Sequence, residues 1–311
     1  MEKRNTVFGS KSEEELYKSI NSFWSKNYNI YPSLPFSSII NFPRENSLVN
    51  NEKEFLYKTS IDYTLCNKKN NEPILSIDFD GLCHGFNKDG RYLPLSAFDK
   101  YEDGKRKWGF DLKLKLTEEA NYPYFIVSYD EKMPIGMDVN LTILDGIIGC
   151  YLEKINITEK INNYANYHKD VLENLEPSLR EDFVYDHVII PAEVEAELEF
   201  NPISKLSWDY EVKVLDKGIK YKDIIMELPK LPDLPDAPFY SEGYLEALEK
   251  RVKNWKNIIK FGCTCEITLE NGDIIFETAW IRNFDSINAI GLCRNISKLI
   301  AFKKLEELGK I

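Results

Sequence analysis

The amino-acid sequence predicts an α/β protein in which helices flank a mixed β-sheet, followed by a C-terminal α+β region. Helical and β-rich runs alternate through the first half of the chain, and its last quarter contains a helix, a hairpin and a second helix. A chain of 311 residues exceeds the usual size of a single domain. We therefore expect two domains, residues 1–180 and residues 181–311.

The first element is a helix predicted over about residues 12–26. Ser12 and Glu15 match a capping box, in which a serine caps the helix start and a glutamate three positions later returns a hydrogen bond. Leu16 and Ile20 then follow at helical spacing. The pattern predicts a helix with one apolar face.

A hairpin, a helix and a strand are predicted next. The hairpin is indicated by two β-rich runs, YKTSIDYTLCN and PILSIDFDG, which the polar segment NKKNNEP separates. A helix is then predicted over WGFDLKLKLTEEANY, and a short buried strand over PYFIVSYD. Further helices, over VNLTILDGIIGCYLEKI and INNYANYHKDVLENL, complete the first domain.

The second domain contains less regular patterns. The run VIIPAEVEAELEF is compatible with a strand or a helix, and ELPKLPDLPDAPFY has a proline at every third position, which predicts an extended connector. A long helix is expected over EGYLEALEKRVKNWKNIIK, then a hairpin around Asn271-Gly272, and a terminal helix over INAIGLCRNISKLIAFKKLEEL.

Composition restricts the possible partners and compartments. The formal net charge is −11, which argues against strong non-specific binding of nucleic acid by the overall charge. Cations dominate only in KYEDGKRKWGFDLKLK, residues 100–115. We expect a cytoplasmic protein without a membrane partner, since no signal peptide or spanning segment is visible. The six scattered cysteines indicate buried thiols and no zinc site.

Three aspartates stand at the ends of the two predicted hairpin strands. Antiparallel pairing can bring Asp62 beside Asp78, and Asp80 shares a strand face with Asp78 because side chains alternate. Clustered carboxylates repel one another unless a cation lies between them, and oxygen ligands suit Mg²⁺ or Mn²⁺. The pattern predicts a metal site; the alternative is turn chemistry, which an Asp80-Gly81 pair also fits.

These motifs resemble the PD-(D/E)XK nuclease superfamily, in the branch near very-short-patch repair endonucleases and related bacterial nuclease-like proteins. The resemblance covers about residues 10–150 and rests on four stretches in order: SEEELY, SIDYTLC, ILSIDFDGLCHGF and FDLKLKLTEEANYPYFIVSYDEK. It implies a restriction-endonuclease-like core for the first domain. It carries no information about residues 181–311.

The resemblance also implies roles for the acidic residues. Asp62 matches the first metal-binding aspartate of the superfamily, and Asp78 matches the acidic residue of the second motif. The Phe79 carbonyl is the further ligand that this pattern implies. Glu15 matches a glutamate that the superfamily often has on its first helix near the metal, although helix capping alone would also explain it.

The remaining implied site residues are Asp80, His84 and Lys113. Asp80 stands where most of the superfamily has lysine, as it does in relatives of this branch. His84 matches the branch's histidine and would act as general base or phosphate-contacting acid; the alternative is a polar loop residue. Lys113, ahead of Lys115, could supply the missing charge to the phosphate, although both also fit an exposed helix surface.

The functional expectation is a Mg²⁺-dependent or Mn²⁺-dependent DNA endonuclease acting in restriction, repair or defence against phages and mobile elements. The alternative is a catalytically inactive nuclease fold that serves as an interaction module in a larger complex. Its protein partner would bind the acidic surface or the C-terminal region. A third reading is a metal-dependent enzyme for another phosphoester. Two observations favour the interaction module: the second motif lacks the lysine of the superfamily, and the chain has a net negative charge.

Overall fold

The computed structural model shows an α/β protein made of two compact units, Met1–Met133 and Pro134–Ile311. The boundary between these units follows Met133, whereas the sequence predicted it at residue 180, and the long helix Ile143–Tyr167 packs on later helices of the second unit. The residues that the structure describes are 8, 10–41, 48–80, 83–86, 92–94, 100–136, 139–226, 244–250, 260–284 and 287–311.

The first unit alternates helices and strands. In chain order they are α1 (Lys11–Trp24), β1 (Tyr28–Pro35), α2 (Asn50–Lys58), β2 (Ser60–Asn67), β3 (Pro73–Phe79), β4 (Cys83–Phe86), β5 (Tyr92–Pro94), α3 (Lys100–Glu119), β6 (Tyr124–Val127) and α4 (Tyr129–Lys132). The predicted hairpin, helix and buried strand are confirmed as β2–β3, α3 and β6.

A four-stranded mixed sheet in the order β1-β2-β3-β6 forms the centre of this unit. The first three strands pair antiparallel, and β6 pairs parallel with β3. Two parallel neighbours need a crossover connection, which α3 provides. The apolar residues of α2 and α3 pack with the sheet in one buried cluster: Phe36, Ile40, Leu48, Leu56, Ile61, Leu112, Leu116 and Tyr124. This packing fixes α3 against the strands that carry the aspartates.

The capping box predicted at Ser12 is wrong by two positions. Helix α1 begins at Lys11, and Ser10 is the N-cap residue, whose Oγ accepts a hydrogen bond from the Glu13 backbone N–H at 3.2 Å. Ser12 lies in the first turn, and its hydroxyl hydrogen-bonds the Tyr129 hydroxyl at 2.8 Å. The contact with α4 leaves Ser12 unavailable as a cap.

The second unit has mainly helices before its main sheet. Its elements are β7 (Pro134–Gly136), β8 (Val139–Thr142), α5 (Ile143–Tyr167), α6 (Lys169–Asn174), α7 (Pro177–Val184), a π-helical turn (Tyr185–Ile189), α8 (Ile190–Phe200), α9 (Pro202–Asp216), β9 (Lys220–Met226), α10 (244–250), β10 (Lys260–Thr268), β11 (Ile274–Arg282) and α11 (Ala289–Glu307). The undecided run VIIPAEVEAELEF is helical.

A three-stranded antiparallel sheet in the order β11-β10-β9 forms the end of this unit. The predicted hairpin and terminal helix are confirmed as β10–β11 and α11. Gly272 has a φ of +84° in the connecting turn, a conformation that glycine adopts without a steric cost. The predicted proline-rich connector lies outside the described residues. Among the described helices, none is both long and apolar enough to span a bilayer.

Candidate active site

Asp62 and Asp78 lie side by side on neighbouring strands. The register pairs Tyr63 with Ile77, and continuing it by one residue places Asp62 opposite Asp78. The Asp62 backbone N–H donates to Asp78 Oδ1 at 2.9 Å, and the Phe79 N–H donates to Asp62 Oδ2 at 2.7 Å. The strand pairing therefore holds both carboxylates against each other's backbone, as the sequence predicted for this pair.

Lys113 reaches this acidic pair from α3. Its Nζ donates to Asp78 Oδ2 at 2.5 Å and to the Ser60 carbonyl oxygen at 2.7 Å. Both members of the ion pair are almost completely buried, with side-chain exposures of 6% for Lys113 and 3% for Asp78. A buried lysine needs such partners, because an unpaired charge in the interior is very costly. Lys113, not Lys115, is the helix lysine at the aspartates; Lys115 is exposed and pairs with Glu119.

Tyr124 completes the hydrogen bonds of Asp78. It lies on β6, the parallel neighbour of β3, and its hydroxyl donates to Asp78 Oδ2 at 2.5 Å. Burial, together with the negative charge of Asp78, raises the pKa of Tyr124 well above its usual value, so the phenol keeps its proton as a donor. Tyr124 is not among the site residues predicted from the sequence, although the strand that carries it was correctly predicted.

Asp80 has a different partner from the other two aspartates. It is buried and forms an ion pair with Arg106 of α3, while its backbone N–H donates to the Val127 carbonyl at 2.8 Å. Arg106 is not among the site residues predicted from the sequence. The signal was present, because Arg106 lies in the stretch of residues 100–115 where cations dominate. α3 thus brings one cation to Asp78 and another to Asp80.

Of the two paired aspartates, Asp62 has the raised pKa. Burial, followed by the negative charge of Asp78, raises the pKa of Asp62 to about 7, against the opposing effect of the Phe79 N–H. Glu13 of α1 adds a further negative charge, and Lys113 offsets part of the repulsion. Burial and the charge of Asp78 therefore both disfavour the ionised form of Asp62, and a bound cation would lower this pKa.

Glu15 is engaged with a lysine of α4. Its carboxylate accepts a hydrogen bond from Lys132 Nζ at 3.1 Å, and Lys132 lowers its pKa. The charge on α1 that acts on Asp62 is that of Glu13 instead. Glu15 and Glu13 both belong to the run EEE, so the sequence indicates an acidic helix start without choosing the residue that faces the site.

His84 belongs to β4, but its side chain lies outside the described part of the structure. The side chain of Phe79, by contrast, is buried in β3, and its ring packs edge-on against Tyr129. The structure thus brings together Asp62, Asp78, Phe79 and Lys113, and places Asp80 with Arg106 and Glu15 with Lys132.

The donor chemistry of the pair fits a hard divalent cation. Asp62 Oδ1 accepts no hydrogen bond from the described part of the chain, and Asp78 Oδ1 accepts only one. An ionised carboxylate has about four lone-pair sites, so both oxygens retain capacity. Among the described residues, no three acidic, histidine or cysteine side chains form a metal-binding group. A metal here would therefore use two carboxylates and backbone or solvent oxygens.

Comparison with known proteins adds no assignment to this geometry. The chain matches no protein-family model, no curated protein and no solved structure.

Proposed function

We propose that this chain is a metal-dependent DNA endonuclease with a restriction-endonuclease-like core. The observation that carries the proposal is the position of Lys113, which crosses from α3 to the carboxylate of Asp78 beside Asp62. Two acids that can hold a metal and one lysine that can stabilise a phosphate are the set that the resemblance implies, and the second motif lacks a lysine of its own. The helix therefore compensates for the aspartate at position 80.

The architecture of the first unit supports the same proposal. An antiparallel hairpin carries the two aspartates, and α3 connects β3 to its parallel neighbour β6. These features agree with the mixed sheet and flanking helices that the resemblance implies. The interior of the sheet holds the side chains rigidly, which precise positioning of a reacting phosphate requires.

Each residue has a defined part in this proposal. Asp62 and Asp78 would hold Mg²⁺ or Mn²⁺, with the Phe79 carbonyl as a further ligand, and the metal would supply an activated water and charge stabilisation. Lys113 keeps the Asp78 carboxylate oriented through its 2.5 Å contact and provides positive charge for the phosphate. His84 is the candidate for proton transfer. Restriction, repair and defence against phages or mobile elements remain the proposed biological settings.

Nicking of supercoiled plasmid DNA in Mn²⁺ tests this function. We expect the wild-type chain to convert supercoiled DNA to open-circular or linear forms, and Asp62→Asn to lose at least a hundredfold in rate. The variant keeps an oxygen that can accept the Phe79 N–H bond and removes the charge that binds metal. Lys115→Met, which changes an exposed lysine on the same helix, is the matched control and retains wild-type cleavage.

A second function, the inactive interaction module, is favoured by one specific observation. The Asp78 carboxylate is already satisfied by Lys113, Tyr124 and the Asp62 N–H, so the folded chain can bury it without a metal. The net charge of −11 suits a basic protein partner through the acidic surface or the C-terminal region. Equal cleavage by wild type and Asp62→Asn, or no cleavage by either, would contradict the nuclease and favour the module.

A further inference from the structure

The sheet of the second unit has one buried face and one outer face. Along β11, the inner positions Ile275, Ala279 and Ile281 are buried and Glu277 is partly exposed, while the outer positions Ile274, Phe276, Thr278 and Trp280 are exposed. The buried face packs against α11: Cys293 Sγ contacts the carbonyl oxygens of Phe261 and Ala279, and Leu299 and Phe302 pack in a cluster with β10 and β11. The outer face has no such helix among the described elements.

The outer face is defined here by the residues that the strand register aligns across β9, β10 and β11. From one end to the other, the rows are Lys260–Arg282, Met226–Gly262–Trp280, Ile224–Thr264–Thr278, Lys222–Glu266–Phe276 and Lys220–Thr268–Ile274. Thr264 and Thr278 hydrogen-bond each other at 2.8 Å in its middle. The centre of the face is therefore flat, and larger side chains stand around it.

Two aromatic rings stand on this face along one strand. Phe276 is 55% exposed and Trp280 is 38% exposed, four residues apart, which corresponds to about 13 Å along a strand. The indole of Trp280 lies on Gly262, where an added Cβ would come within 2.6 Å of the ring. The absence of a side chain at Gly262 therefore lets the ring pack directly on the strand. Both rings are partly exposed to solvent.

The charges around the rings are mostly positive. The rows contain four cations, Lys220, Lys222, Lys260 and Arg282, and one carboxylate, Glu266. Lys222 Nζ already pairs with Glu266 at 2.6 Å, and Lys260 Nζ lies 4.3 Å from the centre of the Trp280 ring. Since the whole chain carries a net charge of −11, this local excess selects an anionic partner for the face.

The hairpin turn at the other end of the face is acidic. Glu270 and Asp273 belong to the turn beyond the last row of the face, which contains Lys220 and Ile274. An anionic polymer would therefore favour the end at Lys260, Arg282 and Trp280, and extend toward Phe276. A partner with flat apolar groups and regularly spaced negative charges matches both the rings and the cations.

We propose that the outer face of the β9–β10–β11 sheet binds single-stranded nucleic acid. Unpaired bases stack on Trp280 and Phe276, while the cations neutralise phosphates. In a duplex the bases stack on one another and cannot stack on these rings, so a duplex would contact the face only through its phosphates. This binding needs no divalent metal and no cleavage, and it assigns a role to the second unit, beyond the nuclease proposed for the first.

Fluorescence anisotropy of the full chain with labelled oligodeoxythymidine and oligouridine tests this proposal. EDTA is present throughout, so that failure of the nuclease and failure of this binding are distinguishable. We expect Trp280→Ala and Phe276→Ala each to weaken binding about tenfold, because stacking contributes about 1–3 kcal/mol per base. Affinity falls as salt rises, and a duplex of equal length binds more weakly than either single strand.

Trp208→Ala is the matched control. Trp208 lies on α9 and is 49% exposed, so its removal deletes a similar ring away from the face and leaves affinity unchanged. Affinities that are equal in wild type, Trp280→Ala and Phe276→Ala would overturn the proposal, as would a folded wild type that binds no single strand at low salt. A dimer that Phe276→Ala dissociates, without oligonucleotide binding, would assign the face to a second copy instead.

Discussion

At the scale of single residues, Asp78 depends on donors from three separate elements. Its carboxylate accepts hydrogen bonds from Asp62 on β2, Lys113 on α3 and Tyr124 on β6. Buried ion pairs contribute little net stability, yet removing one partner leaves a charge that has lost both water and its counterion. The lysine is therefore indispensable to the fold as well as useful to the proposed chemistry.

The first prediction concerns Lys113 and its exposed neighbour on the same helix. Lys113→Met should destabilise the metal-free chain by about 3–5 kcal/mol, because Asp78 then keeps a buried charge without its cation. Lys115→Met should change stability by less than about 0.5 kcal/mol, since Lys115 is solvated. Urea denaturation in EDTA measures both, and equal midpoints for the two variants would refute the structural role of Lys113.

Part of this site could be predicted from the sequence. Antiparallel pairing of two strands placed Asp62 beside Asp78, which follows from local geometry, whereas Lys113 was a candidate through the resemblance, with an exposed helix lysine as the alternative. Tyr124 and Arg106 were missed because their positions depend on the parallel pairing of β6 and on the depth at which α3 packs. Those are tertiary properties, and neither residue stands in a motif that spacing alone would identify.

At the scale of elements, helix starts were harder to predict than helices. Ser10 and Ser12 each precede a glutamate by three residues, so both fit a capping box. In the structure Ser10 is the cap, and Ser12 instead hydrogen-bonds Tyr129. α5 likewise begins at Ile143 after a short strand, capped by Thr142, four residues later than the run VNLTILDG suggests. The two hairpins and the helices α3 and α11 were predicted correctly, because their alternating or helical pattern is local, whereas most of the helix predicted over EGYLEALEKRVKNWKNIIK lies outside the described residues.

The second prediction concerns a close approach of helix backbones in the second unit. Gly149 of α5 faces the junction of α8 and α9, where an added Cβ would lie 2.8 Å from the Asn201 Cα and 3.0 Å from the Phe200 carbonyl. Gly149→Ala should therefore destabilise the chain by about 1–3 kcal/mol, although alanine favours helices. Backbone atoms cannot rotate away as a side chain can, so the clash requires a shift of α5.

Gly104 supplies the comparison for this variant. It lies in α3, and an added Cβ there would meet no atom within 4 Å. Gly104→Ala should stabilise by about 0.5–1 kcal/mol, because alanine loses less entropy on folding into a helix. Thermal unfolding of both variants measures the difference, and a stabilised Gly149→Ala would show that α5 does not approach this junction closely.

At the scale of the whole molecule, net charge is a poor guide to its surfaces. The chain is acidic overall, yet α3 directs Arg106 and Lys113 toward aspartates, and one sheet face of the second unit carries four cations. The first of these regions is visible in the sequence as a run of cations. The second is not, because its cations come together only through strand pairing: Lys220, Lys222, Lys260 and Arg282. In the two proposals, the first unit cleaves DNA and the second unit binds single-stranded nucleic acid, each at a site of its own.

The most direct test of the proposed nuclease site is whether the Asp62–Asp78 pair binds a divalent cation. Metal binding can be measured on the protein alone, without a DNA substrate. Thermal unfolding at pH 8 with and without Mn²⁺ provides the measurement, since the pKa of Asp62 is about 7 and its carboxylate is then ionised. Binding to the native state alone stabilises it by about 2.7 kcal/mol at a hundredfold excess over Kd.

We predict that Mn²⁺ raises the melting temperature of the wild type by several degrees and leaves Asp62→Asn unchanged. No shift in a folded wild type, or an equal shift in both proteins, would contradict a metal site at Asp62 and Asp78.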